Sequence, residues 1–163
     1  MHNGCLNESI NLNPVTAYGV AKATLFQLLT QLAHELSFDL TWARLFYMHG
    51  IGQSEQSLMS QLRAAVDRAD QAFAMSGGEQ LRDYMPVSSV AAELKFLLTR
   101  SGGSGAVNVC SGLPISVRSL VEQTLADWRK KIQLDLGVYP YPDYEPFAFW
   151  GDRSKLESIK ATQ

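Results

Sequence analysis

Tyr18 and Lys22 stand four residues apart in a stretch whose apolar residues recur at helical steps, so both project from one helix face. That spacing has a chemical use. A phenol with an ordinary pKa of about 10 is a poor acid or base at neutral pH, and an adjacent ammonium favours its ionised form. A Tyr-x-x-x-Lys pair can therefore exchange a proton with a hydroxyl held against it. Six Tyr and six Lys in 163 residues supply roughly 0.2 such pairs by chance, so an ordinary exposed i,i+4 contact is the competing reading. His49, between an apolar run and Gly50, faces a ligand or serves a structural role. His2 and His34 have no carboxylate or thiol at metal-ligand spacing, and no zinc signature exists.

The elements that must carry these side chains are legible as periodicities. From Ala17 to Leu36 the residues Ala21, Leu25, Leu28, Leu29, Leu32 and Leu36 form the stripe expected of a helix with one buried side. The run 40–46, closed by Gly50 and Gly52, reads as a strand, and 58–66 as a second helix. Residues 73–75 and 81–85 flank Gly77-Gly78, the pattern of a turn between short strands. Ser88 or Ser89 is placed to cap a helix carrying Val90, Leu94, Leu97 and Leu98, which the Gly/Ser run 101–105 ends. A strand over 106–110, a helix capped by Ser116, and an alternating segment 132–136 follow. Alternation of strand and helix points to an α/β fold. Residues 139–150 hold three Pro and six aromatics, Tyr139, Tyr141, Tyr144, Phe147, Phe149 and Trp150. That stretch is too broken by Pro for a regular element and reads as an ordered loop packed on the body.

At 18.0 kDa, with 46% hydrophobic and 18% charged residues, the chain has the composition of one folded unit. Fourteen Lys and Arg against sixteen Asp and Glu give a net charge of −2, which supplies no basic excess for a nucleic-acid backbone. A mean hydropathy of −0.07 and the lack of a 20-residue apolar run argue against a membrane span. The first residues resemble no export signal, so a soluble, cytoplasmic protein is expected. Cys5 and Cys110 lack CxxC spacing and are expected to be unpaired.

Pro14-Val15-Thr16-Ala17-Tyr18-Gly19-Val20-Ala21-Lys22 resembles the start of the active-site helix in extended short-chain dehydrogenases/reductases, the NAD(P)-dependent epimerases and dehydratases of nucleotide sugars. Three further blocks follow in the family's order. Arg44-Leu45-Phe46-Tyr47-Met48-His49-Gly50-Ile51-Gly52-Gln53 resembles the strand and loop at the nicotinamide end and the sugar nucleotide. Arg82-Asp83-Tyr84-Met85-Pro86-Val87-Ser88-Ser89-Val90-Ala91 is similar to the family's Arg-Asp-Tyr block, whose Arg reaches the substrate diphosphate, a task suited to a guanidinium fork. Val107-Asn108-Val109-Cys110-Ser111-Gly112, then Ser116 and Leu120-Val121-Glu122, resembles the strand, turn and helix that complete the substrate lobe.

The resemblance implies the later half of a Rossmann-like, doubly wound parallel sheet plus the small C-terminal substrate lobe, with the N-terminal cofactor-binding half absent. Residues 1–163 would form a single unit. Within it, 8–50 would supply the later Rossmann-like helix and strand with the catalytic pair, and 51–163 mainly the substrate lobe. Tyr18 would be the general acid/base, while Lys22 would favour its phenolate and hold the nicotinamide ribose. Leu45 and Phe46 would meet the cofactor, and Phe46, Tyr47, His49 and Arg82 the nucleotide-sugar substrate. NAD or NADP serves the family, and this chain alone is not expected to hold either tightly. Gly50-Ile51-Gly52 and Gly102-Gly103-Ser104-Gly105 read as loop turns rather than a dinucleotide fingerprint. Where the family commonly has Asn, Tyr and Pro, this chain has Tyr47, His49 and Ile51; Ser89 stands where an acidic residue is usual, and Ser9 is too near Tyr18 to match the family's catalytic Ser/Thr. The resemblance also implies a homodimer through the 17–36 helix. On this reading the chain is a truncated product or a fragment of a longer one; the rival reading is a truncated, non-catalytic module that dimerises or binds a nucleotide sugar or a partner chain.

Overall fold

The computed structural model describes residues 2–141 and 145–162. In chain order the elements are β1 (Gly4–Leu6), α1 (Ala17–Leu36), β2 (Thr41–Leu45), β3 (Tyr47–His49), α2 (Leu58–Asp67), β4 (Ala72–Ala74), β5 (Leu81–Pro86), α3 (Val87–Thr99), β6 (Gly105–Val109), β7 (Pro114–Ser116), α4 (Val117–Asp127), β8 (Gln133–Asp135), β9 (Phe149–Gly151) and α5 (Ser154–Ala161). Three helices begin on the same device, a hydroxyl that accepts an otherwise orphaned backbone N–H. Thr16 takes that of Gly19 at 3.1 Å, Ser57 that of Ser60 at 3.3 Å and Ser116 that of Ser119 at 3.0 Å.

β2 and β6 pair in parallel from Thr41↔Gly105 to Leu45↔Val109. Because side chains alternate along a strand, Trp42 and Arg44 turn to one face, where Phe26 of α1 packs on Trp42 with ring centres 5.3 Å apart. Ala43 turns to the other, into a core of Val107, Val109, Met85, Leu156 of α5, and Val90 and Leu97 of α3. Helices thus cover both faces of a parallel pair, the doubly wound arrangement. A second core lies between α2, α4 and the parallel pair β4–β8, with Leu62, Ala65, Phe73, Met75, Val121 and Leu125. β5 stands between β3, in parallel, and β7, antiparallel, while β1 pairs in parallel with β9. β6, α3 and α5 come later in the chain and pack around β2.

Several elements differ from what local pattern predicts. Gly77-Gly78 does not join a hairpin, because β4 pairs with β8 and β5 with β3 and β7. Gly78, at φ +73, instead lets the start of α4 approach, and a Cβ there would lie 2.7 Å from Cβ of Arg118. Neither Ser88 nor Ser89 caps α3; Pro86 holds the N-cap position without a side-chain bond. Pro-rich 139–150 runs into the short strand β9 at Phe149, and Tyr144 of that run lies outside the described residues. Along α1 the half-buried side is Gly19, Ala23, Phe26, Leu29, Leu32 and Ala33. Leu25, Leu28 and Leu36 are 41%, 55% and 69% exposed, so most of the leucine stripe faces away from the body. Cys5 is exposed, Cys110 is buried, and both are free thiols.

Candidate functional site

α1 presents the Tyr-x-x-x-Lys pair at its first turns. Lys22 Nζ lies 5.8 Å from the centre of the Tyr18 ring and 6.0 Å from that of Trp42. Tyr18 is 74% exposed, so its hydroxyl is open to a ligand. Gly19 between them is needed for close approach: a Cβ there would meet Pro14 Cβ and Thr16 Oγ1 at 3.1 Å. Lys22 lines a cavity of about 330 Å³ with Leu12, Gly19, Phe26, Trp42 and Arg44.

Leu12 and Arg44 also line a second cavity of about 440 Å³, whose walls include Ile10, Leu45, Phe46, Tyr47 and Phe149. Leu45, Phe46 and Tyr47 therefore meet around one largely apolar space adjoining the Lys22 cavity. The segment before α1 is tied down over it. Arg44 Nη1 donates to the Glu8 carbonyl at 3.0 Å, Asn108 Nδ2 to the Leu6 carbonyl at 2.8 Å, and the Asn108 N–H to Glu8 Oε1 at 2.8 Å.

Arg82 sits behind Tyr47 and Phe149. Its Nη1 donates to the carbonyls of Leu81 and Phe147 at 2.9 and 3.0 Å, and its Nη2 to Glu145 Oε2 at 2.9 Å. Its guanidinium lies 4.7 Å from the Phe149 ring centre. Glu145 Oε1 accepts from the Tyr47 hydroxyl at 2.9 Å. Burial, reinforced by the Glu145 charge, pushes that phenol up to about 12, so it stays a protonated donor. Glu145 is a site residue that sequence reasoning missed; it lies 63 positions from its arginine inside the Pro-aromatic run. Asp83 was quoted only as part of a motif, and it is fully buried, accepting backbone N–H groups from Ser111, Gly112 and Gly151 at 2.7, 2.9 and 3.2 Å. His49 is not brought to these groups. It lines a different cavity, of about 530 Å³, with Gln53, Arg63, Asp67 and Trp128.

A family model described as the NAD dependent epimerase/dehydratase family matches residues 3–110, a span that holds Tyr18, Lys22, Leu45, Phe46, Tyr47, His49 and Arg82. The chain belongs to that family. Among curated epimerase/dehydratase relatives, the dTDP-6-deoxy-L-talose 4-dehydrogenase (NAD(+)) of Aggregatibacter actinomycetemcomitans is 30% identical over 149 residues, covering 91% of this chain and 55% of the relative. Among solved structures, MoeE5 in complex with UDP-glucuronic acid and NAD superposes with a TM-score of 0.81 at 25% identity, over 97% of this chain and 53% of that one. The UDP-N-acetylglucosamine 4-epimerase from Methanobrevibacter ruminantium M1 gives a TM-score of 0.83 at 24% identity, over 94% and 50%. The chain thus spans about half the length of the relatives it matches.

The family's nucleotide cofactor can be tested against the residues present. Lys22 and the apolar wall of Leu45 and Phe46 have the chemistry of a site for a ribose and its nicotinamide. Of the glycine turns, Gly103 and Gly50 are packed on the chain's own atoms, where a Cβ would meet the backbone N of Leu40 at 2.6 Å and Cγ1 of Val87 at 2.5 Å, while Gly52, Gly102 and Gly105 face open space. No helix among the described residues is long and apolar enough to cross a membrane.

Proposed function

We propose that this chain carries the proton-transfer pair and the substrate-binding part of an NAD- or NADP-dependent nucleotide-sugar epimerase, dehydratase or reductase. The observation that supports it best is the adjacency of two cavities, one lined by Lys22 and the other by Leu45, Phe46 and Tyr47, which share Leu12 and Arg44 in their walls. Tyr18 is the general acid/base for a sugar hydroxyl, with the Lys22 ammonium beside it and also holding the nicotinamide ribose. When bound, the cofactor supplies hydride transfer. Leu45 and Phe46 exclude water from its reacting end, and Phe46 and Tyr47 contact the sugar nucleotide, whereas His49, expected as a further contact, lines the separate cavity with Arg63 and Trp128. Arg82 grips the diphosphate. In this reading 8–50 supplies the catalytic helix and strand and 51–163 mainly the substrate lobe, the whole acting in the cytoplasm as a homodimer through α1.

A second reading rests on the exposure of Leu25, Leu28 and Leu36: a non-catalytic module that dimerises or binds a nucleotide sugar or partner chain. One experiment separates the two. The chain is fused to the portion of the talose 4-dehydrogenase outside the match, and turnover of dTDP-sugars is followed through NADH absorbance. Tyr18→Phe is expected to lower turnover by about 10²–10⁴-fold. Unchanged turnover on that substitution removes Tyr18 from the mechanism, and a folded fusion without any turnover supports the module.

A further inference from the structure

Arg82 is more constrained than a waiting anion receptor should be. Its side chain is 3% exposed, whereas that of Glu145 is 32% exposed. Both Nη1 bonds go to backbone carbonyls, which fix the guanidinium plane against Phe149. Nη2 is left to meet an external oxyanion, and there the Glu145 carboxylate already sits at 2.9 Å. The second carboxylate oxygen is held by Tyr47, a wall of the 440 Å³ cavity. A charge-assisted N–H···O bond of this kind is what a phosphate oxygen would make in the same place. We propose that Glu145 is a built-in counter-ion that closes the Arg82 site in the ligand-free chain, so that a nucleoside diphosphate binds by displacing its carboxylate. The proposal rests on the reading of Arg82 as the diphosphate contact.

Exchange rather than co-occupancy follows from charge. A buried guanidinium without a partner is strongly unfavourable, and Glu145 satisfies it while the site is empty. A diphosphate beside an undisplaced Glu145 would meet a like charge at hydrogen-bond range. Glu145 is the partner with access to water, so it can leave and be resolvated, whereas Arg82 cannot. The cost of opening subtracts from affinity in proportion to the closed fraction, which makes Glu145 a residue that sets how strongly a phosphate-bearing ligand must bind to be held.

The test is calorimetric titration of the 163-residue chain with inorganic pyrophosphate, UDP and dTDP. Glu145→Gln keeps the shape and an oxygen for Tyr47 but removes the charge, and is expected to bind each probe about tenfold tighter than the parent. Glu145→Asp should stay near the parent affinity. Tyr47→Phe, which frees the other carboxylate oxygen, should tighten binding by about threefold and serves if the Gln variant does not fold. Adding Arg82→Ala to Glu145→Gln should abolish the gain. Unchanged or weaker binding by Glu145→Gln, or none at millimolar probe, overturns the counter-ion. Binding that is indifferent to Arg82→Ala overturns the reading of Arg82 itself, and binding that needs Arg82 but ignores Glu145 overturns the counter-ion alone.

Discussion

The Lys22 ammonium lies 5.8 Å from the centre of the Tyr18 ring and 6.0 Å from that of Trp42. One cation thus spans the first turns of α1 and the strand behind it, and Trp42, seated on Phe26, limits where that cation can go. In the fused enzyme, Lys22→Ala should raise the KM for NAD by about tenfold. Steady-state kinetics with varied NAD checks it. Tyr18→Phe should leave the KM for NAD in place.

Self-association should run through the outer side of α1. Leu25→Asp with Leu28→Asp puts charge on exposed positions and is expected to yield a monomer by light scattering at tens of micromolar, with an unchanged thermal midpoint. Leu29→Asp, on the half-buried side, should lower that midpoint instead. A parent chain that is already monomeric argues against the proposed dimer.

Asp83 joins three backbone segments through one carboxylate. Asp83→Ala leaves one buried and two partly buried N–H donors without their acceptor and should cost about 3 kcal/mol by urea unfolding. Asp83→Asn, which keeps one carbonyl oxygen, should cost less.

Burial by itself would raise the Glu93 carboxyl, but hydrogen bonds and charge from Lys160 and Arg153 hold it below the ordinary carboxylate range. A group whose folded pKa is depressed contributes stability above its unfolded value, near 4.5, and loses it as pH falls through the lower folded value. Glu93→Gln should therefore be less stable than the parent at pH 7, with the gap narrowing towards pH 3 in thermal melts.

Much of α1, α4, β2 and β6 was legible in the sequence because the rules that form them act over a few residues. Ser116 caps α4 through a neighbour three positions away, and Tyr18 meets Lys22 because a helix brings i and i+4 together. The leucine periodicity of α1 was equally plain, yet periodicity cannot say what covers a face. Tertiary packing turned the helix onto Gly19, Ala23 and Phe26, where the Phe26 ring packs on Trp42, and left Leu25 and Leu28 outside. Strand partners were also beyond local pattern: β4 took β8 across the second core instead of the nearer β5, because burial of Phe73 and Leu134 with α2 and α4 outweighs the convenience of a short turn. The Arg82–Glu145–Tyr47 group joins residues 63 and 98 positions apart, and no spacing rule connects them. Residue types and local spacing determined which groups could do chemistry; only the folded chain decided that a carboxylate from the Pro-aromatic run would reach the buried arginine, because that contact is set by packing and charge pairing in three dimensions.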